Sequence, residues 1–112
     1  MQLVQFRDEV FQYYKTKVNG NEDISLLEAE KKMARNIQLA YKPDSTGYKG
    51  QMYQYGSLWF VVKNNRIIWM RNHCHVPQDW VVDKEKYLKL NKELGIKDYA
   101  YIGTKRVKSL AS

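Results

Sequence analysis

Apolar residues recur along this chain with two different periods, and the changes of period mark its elements. Leu3, Phe6, Val10 and Tyr14 lie at helical spacing, with Val4, Phe11 and Val18 on an adjoining stripe. That pattern predicts a helix over residues 2–18. The run Asn19-Gly20-Asn21-Glu22-Asp23 breaks it. Ser25-Leu26-Leu27-Glu28 then has the form of a capping box, in which the serine accepts from the amide three residues on. From there Leu26, Met33, Ile37 and Ala40 share one face of a second helix, with Leu27, Ala34 and Tyr41 beside it. Pro43 ends that helix by forcing Lys42 out of helical geometry.

After a loop over residues 42–51 the period drops to two. Residues 52–76 are rich in β-branched and aromatic side chains, and Asn64-Asn65 sits between two such runs. Asparagine tolerates the positive φ of a tight hairpin turn. A two-residue turn there pairs Val62 with Ile67, Phe60 with Trp69 and Leu58 with Arg71. Strand alternation then gives the hairpin two faces. One carries Tyr53, Tyr55, Trp59, Val61, Met70 and Cys74 and reads as the core face. The other carries Gln54, Leu58, Phe60, Val62, Ile67, Trp69, Arg71, His73 and His75. Its polar end, with Gly56 opposite His73, predicts a cationic hollow rimmed by Trp69 and Leu58.

Asp83 is placed to cap a third helix over 84–94, with Tyr87, Leu90 and Leu94 on one side and Gly95 as its stop. Residues 99–102 read as a third strand. The order is α-α-β-β-α-β: an α+β domain over residues 1–112, with an antiparallel three-stranded sheet packed against helices and a short basic tail over 103–112.

Charge sharpens this picture. The net charge is +7. Residues 1–41 carry six basic and six acidic side chains, and residues 73–102 carry five of each, so both segments are neutral. The excess lies in Lys42, Lys49, Lys63, Arg66 and Arg71, against Asp44 alone, and in Lys105, Arg106 and Lys108. Clustered positive charge attracts polyanions, nucleic acid first among them. Aromatics are interleaved with the central cations (Tyr41, Tyr48, Tyr53, Tyr55, Trp59, Trp69), and such rings can stack on bases. These eight basic residues are therefore the expected nucleic-acid contacts of a small, non-enzymatic regulatory or accessory factor, of a kind that a phage or mobile element encodes.

Two other classes stay open. The aromatic-rich surface with arginine at its edge suits a protein-interaction module or inhibitor. Arg71, His73 and His75 suit a metal-independent nuclease of toxin type, with histidine as acid or base and arginine stabilising the phosphorane-like transition state. A metal site is not expected, because alternation sends Cys74 to the face opposite the two histidines and the chain has no other His or Cys. No cofactor motif is present. The order helix, helix, hairpin is similar in outline to a winged helix-turn-helix. That resemblance implies a second helix offering Lys31, Lys32, Arg35, Asn36 and Gln38 to DNA, with Lys63 and Arg66 at the wing tip. The acidic connection over 19–24 is longer than the tight turn of that motif.

A single cysteine, an acid-bearing N-terminus and the absence of any apolar run near the ~20 residues of a membrane span predict a cytoplasmic protein without a membrane partner. The apolar hairpin face can pack on helices of its own chain or of a second copy, so a monomer and a homodimer both fit.

Overall fold

The computed structural model describes residues 2–43, 49–73, 81–96, 101–102 and 105–106. The elements run β1 (Gln5–Phe6), α1 (Asp8–Lys17), α2 (Leu26–Leu39), β2 (Gln51–Tyr55), β3 (Leu58–Lys63), β4 (Arg66–Asn72), α3 (Lys84–Leu94), β5 (Tyr101–Ile102) and β6 (Lys105–Arg106). The class is α+β, as expected. The sheet is four-stranded and mixed, in the order β1-β4-β3-β2, rather than three-stranded and antiparallel. β5 and β6 form a separate antiparallel ribbon, so residues 101–102 do not supply the third strand of the sheet.

The first correction lies at the N-terminus. Helix α1 begins at Asp8, and Arg7 before it is extended. Val4 and Phe6 are buried while Gln5 is exposed, which is strand alternation. The Gln5 amide donates to the Asn65 carbonyl at 2.9 Å and the Arg7 amide to the Ile67 carbonyl at 3.1 Å, making β1 parallel to β4. Phe6 fits both periods, with Val10 and Tyr14 at helical spacing and with Val4 at a spacing of two. Pairing with the exposed edge of β4 decides between them, because it satisfies backbone groups that a longer α1 would leave at that edge.

The caps form as the sequence predicts. Ser25 Oγ accepts from the Glu28 amide at 3.1 Å, and Asp83 Oδ1 from the Lys86 amide at 3.1 Å. Helix α3 closes through Gly95 N–H to the Lys92 carbonyl and Ile96 N–H to the Asn91 carbonyl. Asn64 and Asn65 have φ of 52° and 61°, the paired left-handed residues of the expected turn.

The hairpin faces need a second correction, with two local causes. Residues 52–63 are two strands, not one. Gly56-Ser57 is a second tight turn, with Gly56 at φ 60°, and it joins Tyr55 to Leu58. In β4, Ile68 is an extra residue: Val62 pairs with Ile67, but Val61 pairs with Trp69, Phe60 with Met70 and Leu58 with Asn72. This bulge turns Ile67 and Met70 to the same side. The core face is therefore Tyr53, Tyr55, Leu58, Phe60, Val62, Ile67 and Met70. Helices α1 and α2 cover it with Val10, Tyr14, Ala29 and Met33. Phe60 is fully buried and stacks on Tyr53 at 5.5 Å.

Helix α2 buries Ala29, Met33 and Ala34 but leaves Leu26 and Leu27 exposed. It also buries Arg35 and Asn36, at 6% and 3% exposure. A recognition helix needs those two side chains in solvent, so the winged helix-turn-helix reading fails on them. Among the described residues no helix is long and apolar enough to cross a membrane.

Candidate nucleic-acid interface

The second hairpin and the bulge together place Trp59, Val61, Lys63, Arg66, Trp69 and Arg71 on the sheet face opposite the helices. In register, Trp59 lies beside Arg71, Val61 beside Trp69 and Lys63 beside Arg66. Four residues at ~3.3 Å each put the two cationic ends of this face about 13 Å apart, with Trp69 and Val61 between them and Trp59 level with Arg71.

Lys63, Arg66, Arg71 and His73 are exposed and Trp59 and Trp69 are half-buried, whereas Val61 beside Trp69 is fully buried. The Arg71 guanidinium lies 5.4 Å from the Trp69 ring and 5.6 Å from the Tyr13 ring, and Nη1 donates to the Met70 carbonyl. These contacts hold the charge at the sheet edge, with no carboxylate paired to it among the described residues. Tyr13 also caps that edge, accepting at Oη from the Asn72 amide at 2.8 Å. The His73 ring meets Trp59 edge-on at 4.7 Å, and the His73 amide donates to the Ser57 carbonyl. The Trp59 indole Nε1–H is buried and has no acceptor among the described residues, an uncommon state for a buried donor.

Lys42 is exposed beside Tyr41, whose backbone exchanges two hydrogen bonds with Gln54 at the other sheet edge. Lys49 is exposed and precedes Gly50, which lies against Val61–Lys63. Five of the eight expected cations thus flank or occupy the strands. Lys105 and Arg106 form β6, paired with Ile102 and Tyr101. Lys108, His75 and Cys74 lie outside the described residues.

The hollow expected around Gly56 changes form. Gly56 is in the turn rather than opposite His73, and Leu58 points into the core, so neither rims a pocket on the Arg71 face. Gln54, Arg71 and His73 do share that face. Among the described residues no three His, Cys, Asp or Glu side chains converge as metal ligands would. Alternation alone kept Lys63 and Arg66 away from Arg71; the bulge is what unites them. Its sequence signal was the conflict between Ile67 and Met70, two apolar residues an odd number of positions apart in a strand that must cover one core.

These features define a small α+β protein with two helices on one side of a mixed sheet and a cationic, tryptophan-bearing surface on the other. The model of the YorE family matches residues 4–93, from before β1 into α3, and the chain belongs to that family. It is 29% identical over 106 residues to the SPbeta prophage-derived uncharacterized protein YorE of Bacillus subtilis (strain 168), covering 88% of this chain and 86% of that one. No solved structure matches.

Proposed function

We propose that this protein is a non-enzymatic nucleic-acid-binding factor of phage origin, acting in the cytoplasm of a bacterial host. On this reading it takes DNA or RNA across the sheet face of Trp59, Trp69 and Arg71. The observation that carries the proposal is the grouping of two half-buried indoles with exposed cations on one face. Indole faces stack on bases irrespective of sequence while the flanking cations meet phosphates. A ligand acceptor near the Trp59 edge would also satisfy its unpartnered Nε1–H. The prophage origin in the relative's name supports the phage context.

The test is a gel shift on mixed DNA and RNA across salt concentrations. Three phosphate contacts, from Lys63, Arg66 and Arg71, give a slope of log K against log salt of about −2 on a single strand. Arg71→Gln should make it shallower by about 0.7. Lys63→Gln/Arg66→Gln should remove about twice that. Retention that ignores salt, or no retention at low salt, would sink the reading. Cleavage abolished by His73→Ala would move the protein to the nuclease class.

A further inference from the structure

Helix α2 carries a buried guanidinium that no ion pair explains. Arg35 is 6% exposed, and among the described residues no carboxylate lies within salt-bridge distance of it. A buried charge is costly unless it is paired. Here neutral groups hold it in place. Arg35 Nε donates to Asn36 Oδ1 at 3.0 Å and Nη1 to Asn91 Oδ1 at 2.8 Å, while the guanidinium lies 4.5 Å from the Tyr87 ring. Nη2 donates to no described residue.

The same guanidinium lines a cavity of about 210 Å³ between α2, α3 and the Gly56-Ser57 turn. Lys32, Asn36, Tyr55, Ser57 and Asn72 contribute to its wall, and among the described residues no Asp or Glu does. Lys32 Nζ donates to Asn21 Oδ1 at 3.2 Å and adds a second positive charge. Burial raises the Tyr55 phenol, Arg35 pulls it back and Tyr87 raises it again, leaving it at about 12. The phenol is therefore an O–H donor at neutral pH.

We propose that this cavity is a phosphate-monoester site, with Arg35 and Lys32 as its charge partners and the surrounding amides and hydroxyls completing the coordination. Two positive charges, the Lys32 ammonium also bordering Glu22, Asp23 and Glu28 on its other side, match a group that carries about −1.5 to −2 at neutral pH better than they match a carboxylate. The volume suits a phosphate with a small substituent rather than a whole buried nucleotide, since full ligand pockets run from about 300 Å³ upward. The site lies on the helix side of the sheet and does not depend on the Trp59–Arg71 face.

The test uses the full chain, labelled with 15N, at ionic strength held constant with chloride. Inorganic phosphate is titrated while the Arg35 Nε–H and Asn36 side-chain amide signals are followed. Saturable shifts confined to these and to the Asn72 amide are expected. Lys32→Gln, at a half-buried position, should weaken binding about tenfold with the fold intact, as expected for removing one charge-assisted contact. Arg35→Lys should abolish it. Arg71→Gln should leave it unchanged, which separates this site from the sheet face. Shifts that do not saturate, that spread to Lys63 and Arg66, that acetate reproduces, or whose midpoint Lys32→Gln leaves unchanged overturn the proposal. Glycerol phosphate and a 5′-phosphorylated dinucleotide identify the source. Tighter binding of the dinucleotide assigns a nucleic-acid end, and equal affinities assign a free phosphate; either result upholds the site.

Discussion

Asn65 connects the hairpin turn to the N-terminal strand, and replacing it separates two contributions of similar size. Its φ of 61° is left-handed, like the 52° of Asn64. Its side chain also donates from Nδ2 to the Leu3 carbonyl at 2.7 Å, and its own carbonyl accepts from Gln5. Alanine at either position meets the left-handed penalty, about 1 kcal/mol more than asparagine does. At position 65 it also deletes a part-buried hydrogen bond contributing about 1 kcal/mol. Asn65→Ala should therefore cost about 2 kcal/mol and Asn64→Ala about 1 kcal/mol. Asn65→Gly relieves the backbone but loses the bond, so it should lie between the parent and Asn65→Ala. In thermal unfolding these correspond to falls in Tm of about 8 °C and about 4 °C. Urea titrations followed by tryptophan fluorescence measure the free energies directly, and hydrogen exchange at the Gln5 amide reports whether β1 detaches. Equal losses for Asn64→Ala and Asn65→Ala would refute the reasoning, because the contact with Leu3 would then contribute nothing.

Other outcomes follow from the same geometry. Gly50→Ala places a Cβ 2.7 Å from the Val62 carbonyl oxygen and 2.9 Å from Val61 Cγ1; a loss of about 1–3 kcal/mol is expected in urea unfolding. Tyr55 has a folded pKa of about 12 against an ordinary 10.0. The unfolded chain therefore loses this proton first as pH rises, so the stabilisation is complete below pH 10 and is lost between pH 10 and 12. Wild type should lose about 2 kcal/mol more than Tyr55→Phe over that window, and parallel slopes would contradict it. Trp69→Ala should weaken nucleic-acid binding by about 1–3 kcal/mol without changing the salt slope, the reverse of the lysine and arginine variants, as filter binding at two salt concentrations would show.

Local chemistry was legible along the chain wherever a signal lies within a few residues. Ser25 with Glu28, Asp83 before α3, Gly95 after it and Asn64-Asn65 each act through bonds or dihedrals confined to one turn. The site was legible as a composition: cations and aromatics crowded between residues 42 and 72. Its arrangement was not. Gly56-Ser57 sat inside what looked like one strand, because its neighbours are aromatic on both sides. Ile68 looked like an ordinary strand residue, yet as the bulge it reverses every side chain after it. Arg35 and Asn36 looked like a polar helix face and are among the most buried side chains of α2, because α3 and the Gly56-Ser57 turn close over them.

By itself, then, the sequence determined the three helices with the start of α2 and both ends of α3, the turn at Asn64-Asn65, the α+β class and the segment that holds the excess charge; α2 ends at Leu39, short of the expected Tyr41, because Tyr41 pairs with Gln54. These follow from periodicity, capping and turn chemistry, all of which act over short stretches of chain. Tertiary structure decided that residues 4–6 become a strand, that a bulge brings Lys63, Arg66 and Arg71 to one face with Trp59 and Trp69, and that Arg35 is enclosed. Each of these depends on a partner distant in sequence: β4 for the N-terminus, a shared core for Ile67 and Met70, and Tyr87 and Asn91 for the guanidinium. A pattern of residues cannot show how the energy of a distant contact compares with that of a local preference, and at these positions the distant contact is the larger.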